Sequence, residues 1–413
     1  MREEWQRLLS CMRRAKKGEE LTIGFMGGSI TQGSLASGEQ QTYAWKVYEW
    51  WCRSFPDAVF HYVNGGIGGT TSHFGVARAE KDLLMYQPDV VILDFNVNDK
   101  PDVFFQETYE GLLRKILFWP GYPAVLILNN VYYDTGVSAQ DLHNELADYY
   151  HVPYVSVRDT IYHQMKQGIY TQEELTPDGL HPNDKGHGLI AEKITRYLEA
   201  VKEALEEEDT AEACEADRWS AWMASEDKTA DAAESAPIIR KCKSVDVTES
   251  APIIRKCKSA DVTESAAENR RHPLTKNAYE DVRFLNITNA QPKLEGFRAD
   301  AEEKKGHLDC FKNGWIGKKN GDRIIFEEEC SCLAVQYRKT IQGPSPVAMV
   351  FLDGDTEHGI LLDGNFEERW GDCLYLQPIL HHEERRHHTI EIKIIRAYEK
   401  DKIPFYLLGL IVA

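Results

Sequence analysis

The chain has 413 residues, of which 42% are hydrophobic and 28% charged, and a formal net charge of −18. A single core stops growing at ~250–300 residues, so two domains are expected. No apolar run approaches the ~18 residues of a membrane span, and an acidic balance repels phosphate backbones and anionic lipid surfaces, so neither membrane nor nucleic acid is an expected partner. At the N-terminus Trp5, Leu8, Leu9 and Met12 recur at helical spacing among Arg7, Arg13 and Arg14, without the unbroken apolar core of a signal peptide. Nine cysteines with no CxxC pair read as thiols in a reducing compartment, and cytoplasmic residence is the expectation.

Five apolar runs follow: LTIGFMG from Leu21, AVFHYVN from Ala58, DVVILDFN from Asp89, AVLILNN from Ala124 and VPYVSV from Val152. Between them Tyr43–Phe55 and Thr71–Tyr86 are long enough for crossover helices, and a closing helix starts at Asp184 and runs toward Glu208. Alternating strands and helices predict an α/β domain over residues 1–208, built on a doubly wound, parallel, five-stranded sheet. The stretch Val201–Glu234 then carries twelve acids against Lys202, Arg218 and Lys228. Within it the periodic pattern dissolves, and SAPIIRKCKSVDVTE from Ser235 is repeated from Ser250 with only Val245 changed, to Ala260. Two short copies are too few to stack as a solenoid, so residues 209–271 read as a flexible, acidic linker lengthened by duplication. From His272 to Ala413 short apolar runs such as RIIFEE, LAVQYRK, VAMVFLDG and FYLLGLIVA stand between Gly, Asp, Asn and Pro signals, which predicts antiparallel strands in a β-sandwich of jelly-roll type.

The chemistry concentrates at the ends of the first three strands and in one later turn. Gly27-Gly28-Ser29-Ile30-Thr31 takes a serine out of a buried strand into a turn, where small neighbours admit a carbonyl and a helix N-terminus offers N–H groups. Asn64-Gly65-Gly66-Ile67-Gly68-Gly69-Thr70 follows the second strand, and Asn96-Val97-Asn98-Asp99 follows the third. In an open α/β sheet these ends converge on one crevice. In Pro177-Asp178-Gly179-Leu180-His181-Pro182 a carboxylate stands three residues before an imidazole. That spacing lets Asp178 hold the Nδ1–H of His181 while Nε2 accepts a proton from Ser29.

These four blocks, in this order, resemble the SGNH (GDSL) hydrolase superfamily over about the first half of the chain. The resemblance implies the flavodoxin-like fold of that superfamily, with Ser29, Asp178 and His181 as catalytic residues and Ser29, Gly69 and Asn98 forming the oxyanion hole. Gly28 departs from the usual Asp of Gly-Asp-Ser, and Val97 from a common Gly. The GGSIT variant followed by a β-rich domain is similar to two-domain bacterial carbohydrate O-acetylesterases, including enzymes that deacetylate mannans. In those enzymes the sandwich resembles a carbohydrate-binding module. The expected substrate is therefore an acetylated carbohydrate, with no cofactor, and Gln32, Trp45, Tyr132, Trp315 and Trp370 are candidates for holding sugar. The rivals are a lipase, lysophospholipase or thioesterase of the same fold, and a catalytically degenerate sugar-binding protein. No set of residues has the spacing of a closed metal site: His381, His382, His387 and His388 read as a solvated hairpin loop, and Asp353, Asp355 and Glu357 as a turn.

Overall fold

The computed structural model describes residues 2–226, 271–306, 308–368 and 371–413. Five parallel strands, β1 (Glu20–Gly27), β2 (Val59–Gly66), β3 (Val90–Asp94), β4 (Ala124–Asn129) and β5 (Tyr154–Ser156), form one sheet in the order β2-β1-β3-β4-β5. That order makes the first half flavodoxin-like and puts its topological switch between β1 and β3. The helices are α1 (Gln6–Lys16), α2 (Ser29–Gln32), α3 (Tyr43–Ser54), α4 (Ser72–Asp82), α5 (Val103–Leu117), α6 (Gln140–Tyr150), α7 (His163–Lys166), α8 (Gln172–Leu175) and α9 (Asp184–Glu226).

Both faces of the sheet are covered, which is why its strands read as unbroken apolar runs. Along β3, Val90 and Ile92 pack with Leu9, Val47, Trp51 and Ile194 of α1, α3 and α9. The alternate residues Val91 and Leu93 pack with Phe74, Ala79, Leu112, Ile116 and Leu146 of α4, α5 and α6. The closing helix does not stop near Glu208 but runs on to Glu226. Its acid- and alanine-rich sequence suits a helix, and Arg13 and Lys16 of α1 pair with Glu208 and Asp209 at the expected end. The tandem repeat lies outside the described residues.

The second half is a sandwich of antiparallel strands: β6 (Arg283–Leu285), β7 (Lys293–Glu295), β8 (Arg298–Ala299), β9 (Trp315–Gly317), β10 (Arg323–Cys330), β11 (Leu333–Lys339), β12 (Val347–Leu352), β13 (Ile360–Asp363), β14 (Cys373–Leu380), β15 (Arg386–Arg396) and β16 (Phe405–Val412). One sheet runs β13-β12-β15-β10-β7 and the other β14-β11-β16-β9-β8, with β6 beside β16.

Strand β16 is buried at every position. Phe405, Leu407, Leu410 and Val412 face the sandwich core, whereas Tyr406, Leu408 and Ile411 join the cluster around α4 and α5. The inward-facing parity changes between Leu407 and Leu410, where the register against β11 shifts opposite Gln336 and Tyr337, as a bulge requires. The sandwich therefore packs a whole sheet face onto the helices of the first half, and the two halves share a core.

Polar groups close this seam. Buried Arg114 donates Nε–H to Glu280 at 2.7 Å. The buried Glu110 carboxylate accepts from the N–H groups of Leu274 (2.5 Å) and Thr275 (2.7 Å) and from the hydroxyls of Thr275 and Tyr150. Gly111 lies so close to the 279–280 backbone that a Cβ there would sit 3.0 Å from the Glu280 nitrogen.

Candidate active site

Ser29 opens α2 directly after β1, where the first N–H groups of a helix have no intrahelical acceptor. Its hydroxyl lies 2.8 Å from His181 Nε2, and His181 Nδ1 lies 2.6 Å from Asp178 Oδ2. The turn carrying both partners is held locally. Asp178 Oδ1 accepts from the N–H groups of His181 (2.7 Å) and Leu180 (3.0 Å) and from the Thr176 hydroxyl (3.1 Å), and Gly179 takes a left-handed φ of 80°. Partial burial of Asp178 opposes ionisation, but the hydrogen bonds from His181 and Leu180 outweigh it and hold the carboxyl below its ordinary range. An ionised Asp178 orients the ring so that Nε2 faces the serine.

The glycine-rich loop after β2 lies against the serine: a Cβ on Gly68 would sit 3.6 Å from Ser29 Cβ, and Gly69 has a φ of 69° that favours glycine. Asn98 borders the other side. A Cβ on Gly28 would fall 2.2 Å from Asn98 Oδ1. Glycine at position 28 therefore leaves room for the Asn98 amide beside Ser29, and any larger residue would displace it. Sequence and geometry thus bring Ser29, Gly69, Asn98, Asp178 and His181 to one sheet edge.

The expected sugar contacts fare differently. Gln32 accepts the Gly68 N–H at 2.6 Å, so its carbonyl holds the glycine loop. Trp45 packs on Tyr48 and Tyr62 between α3 and β2, because its helix turns that side toward the sheet. Trp315 is 2% exposed, edge-on to Phe326 in the sandwich core, since β9 is an inner strand covered on both faces. Trp315 is therefore closed to a sugar, whereas Trp45 stays half-buried among its aromatic neighbours. Tyr132 is half-buried on the loop after β4, next to Tyr133, whose N–H bonds the Gly179 carbonyl at 2.7 Å. Trp370 lies outside the described residues. The histidine run is also divided: His387 and His388 belong to β15, whose alternation turns His388 inward to 1% exposure and a 2.9 Å bond with Asp353. His381 and His382 do lie in the hairpin turn after β14.

A buried polar layer beneath the site went unread in the sequence. Asp94, at the end of β3, accepts from Asn130 Nδ2 (2.9 Å) and the Thr31 hydroxyl (3.1 Å), and Thr31 also meets the Tyr43 hydroxyl at 2.8 Å. Asn96 exchanges two hydrogen bonds with the Asn130 backbone (2.9 and 2.6 Å), and Asp99 accepts the Ser72 N–H at 2.8 Å. The only sequence sign of this layer is that polar residues interrupt the apolar runs where each strand ends.

Burial pushes the Asp94 carboxyl up to about 7, against the hydrogen bonds from Thr31 and Asn130. The folded protein therefore holds a proton that the unfolded chain loses near pH ~4. The resulting stabilisation is present at low pH and is lost as pH rises through about 7. Asp94→Asn imitates the protonated form. The variant is expected to gain on the wild type on the order of 2–4 kcal/mol between pH 5 and pH 8. Thermal unfolding at both pH values checks this, and a difference independent of pH would contradict it.

Residues 25–189 match the GDSL-like Lipase/Acylhydrolase family. The chain belongs to this family, and it is a carboxylic ester hydrolase. Its whole length is similar to a solved two-domain esterase active on acetylated mannans, co-crystallised with mannopentaose: 41% identity, 98% of this chain and 94% of that one covered, TM-score 0.81. A second structure, of a two-domain esterase active on acetylated mannans, aligns at 42% identity with the same coverage and TM-score. No curated protein matches the chain.

Proposed function

We propose that this esterase removes O-acetyl groups from a mannan-type oligo- or polysaccharide through an acetyl-enzyme intermediate. The observation that carries the reading is the 41% identity, spanning both halves of the chain, to an esterase active on acetylated mannans. The arrangement at the sheet edge supports a serine mechanism. Ser29 Oγ attacks the acetyl carbonyl while His181 Nε2, 2.8 Å away, takes its proton. Asp178 stabilises the imidazolium through Nδ1–H. The oxyanion is held by the N–H groups of Ser29 and Gly69 and by the Asn98 side-chain amide. His181 then returns the proton to the departing sugar hydroxyl, and a water activated by the same ring releases acetate.

In this reading residues 1–208 are catalytic and residues 272–413 act as a carbohydrate-binding module, with 209–271 connecting them. Tyr132, half-buried on the loop after β4, is the candidate for sugar contact that this reading keeps. The test is a comparison of kcat/KM for acetate release from acetylated mannooligosaccharides and acetylated xylooligosaccharides, alongside aryl acetate and aryl octanoate. The mannan fragments are expected to lead the sugars, and acetyl to exceed octanoyl by at least ~10-fold, since one methylene alone is worth ~1–3 kcal/mol in a fitted pocket. A preference for octanoyl would move the assignment to a lipase.

A further inference from the structure

Across the seam from α5, the hairpin turn between β14 and β15 aims two imidazoles at one carboxylate. His382 Nε2 lies 2.7 Å from Glu107 Oε2, and His381 Nε2 lies 3.9 Å from the same oxygen. One ligand atom from each of Glu107, His381 and His382 lies within 4.8 Å of the other two. A hydrogen bond pairs His382 with Glu107, while the Tyr279 hydroxyl and the Phe104 and Tyr279 rings hold His381 beside them.

The surroundings fix each group in a ligating orientation. Glu107 is 4% exposed, and its Oε1 accepts the Ala278 N–H at 2.9 Å, which leaves Oε2 turned toward the rings. His381 Nδ1 lies 2.8 Å from the Tyr279 hydroxyl. With Nδ1–H donating to Tyr279, the Nε2 lone pair faces inward, the outer-shell arrangement found around metal-bound imidazole. His381 is exposed, which provides an entry path.

We propose that Glu107, His381 and His382 bind one divalent transition-metal ion of zinc-like chemistry, which clamps α5 to the turn after β14. Two imidazole nitrogens and a carboxylate oxygen suit zinc, with water completing a tetrahedron. Bonds of ~2.0–2.1 Å would separate neighbouring ligand atoms by about 3.3 Å. The observed 2.7 and 3.9 Å to Glu107 straddle that spacing, and the ligand atoms of the two imidazoles, within 4.8 Å of each other, would close by up to about 1.5 Å to complete the site. Its role is structural, since none of the three residues belongs to the constellation around Ser29.

The experiment uses the full-length, untagged protein, stripped with EDTA and desalted. Zinc is titrated by calorimetry, cobalt(II) by its visible absorption, and thermal unfolding is recorded with and without zinc. Wild type is expected to bind one zinc per chain, to give the intense d–d bands of tetrahedral cobalt, and to melt several degrees higher when saturated. Aryl acetate turnover should be equal with and without metal. His381→Gln leaves the His382–Glu107 hydrogen bond in place and should weaken zinc binding at least 10-fold, in line with loss of a ligand or its support. The double variant His381→Gln/His382→Gln should abolish both the cobalt bands and the thermal gain. Absence of saturable binding by folded wild type, or equal binding by the double variant, would overturn the site.

Discussion

Ser29→Ala is expected to reduce kcat for aryl acetate by ~10⁴–10⁶-fold, the range seen when a nucleophile that works as a unit with its base is removed. The change deletes one oxygen at a strand end whose backbone is held by the β1 ladder on both sides, so the melting temperature should stay within about 2 °C of wild type. Activity and thermal unfolding measured on the same preparation separate chemistry from folding. A folded variant that turns over at more than about a tenth of the wild-type rate would remove Ser29 from the mechanism, because no compensating nucleophile could restore so much.

The second large effect belongs to the seam rather than to the site. Glu110→Ala is expected to destabilise the protein by ~3–5 kcal/mol, the scale for stripping one partner from a buried, charge-assisted network. Four donors lose their acceptor together: the N–H groups of Leu274 and Thr275 and the hydroxyls of Thr275 and Tyr150. By contrast, breaking the exposed Arg14–Glu19 pair should cost under ~1 kcal/mol. Denaturant unfolding of both variants provides the comparison. Turnover per folded molecule should hold in Glu110→Ala, since its partners lie at the seam and not at the sheet edge. A loss under ~1 kcal/mol would mean that water replaces the seam and that the halves are only tethered.

That seam explains what sequence patterning could not reach. The run FYLLGLIV was legible as a strand, and its lack of alternation carries a second message: a strand buried at every position is covered on both faces. One face meets the opposite sheet and the other meets α4 and α5. Alternation identifies a half-buried strand but does not name the second covering layer, which comes from residues more than 200 positions away. Trp315 was misread for the same reason. An aromatic in a β-rich domain is a sugar platform only if its face is open, and burial against Phe326 is a property of the assembled sandwich.

The meeting of Ser29, Gly69 and Asn98 was legible because each sits in a short motif just after a strand, and parallel α/β topology sends all such ends to one edge. Asp178 and His181 are three residues apart, so their pairing is local and follows from the turn itself. Local spacing, strand period and motif order thus determined the five-stranded sheet, the β-sandwich and the constellation around Ser29. Tertiary structure alone decided the rest: Asn98 fits against Gly28 because no Cβ stands there, Gln32 bonds the Gly68 amide, and Glu107 meets His381 and His382 across 275 residues of sequence separation to the latter. These contacts depend on how packed layers bring distant side chains together, and short-range patterns in a chain record which face is apolar, not what will cover it.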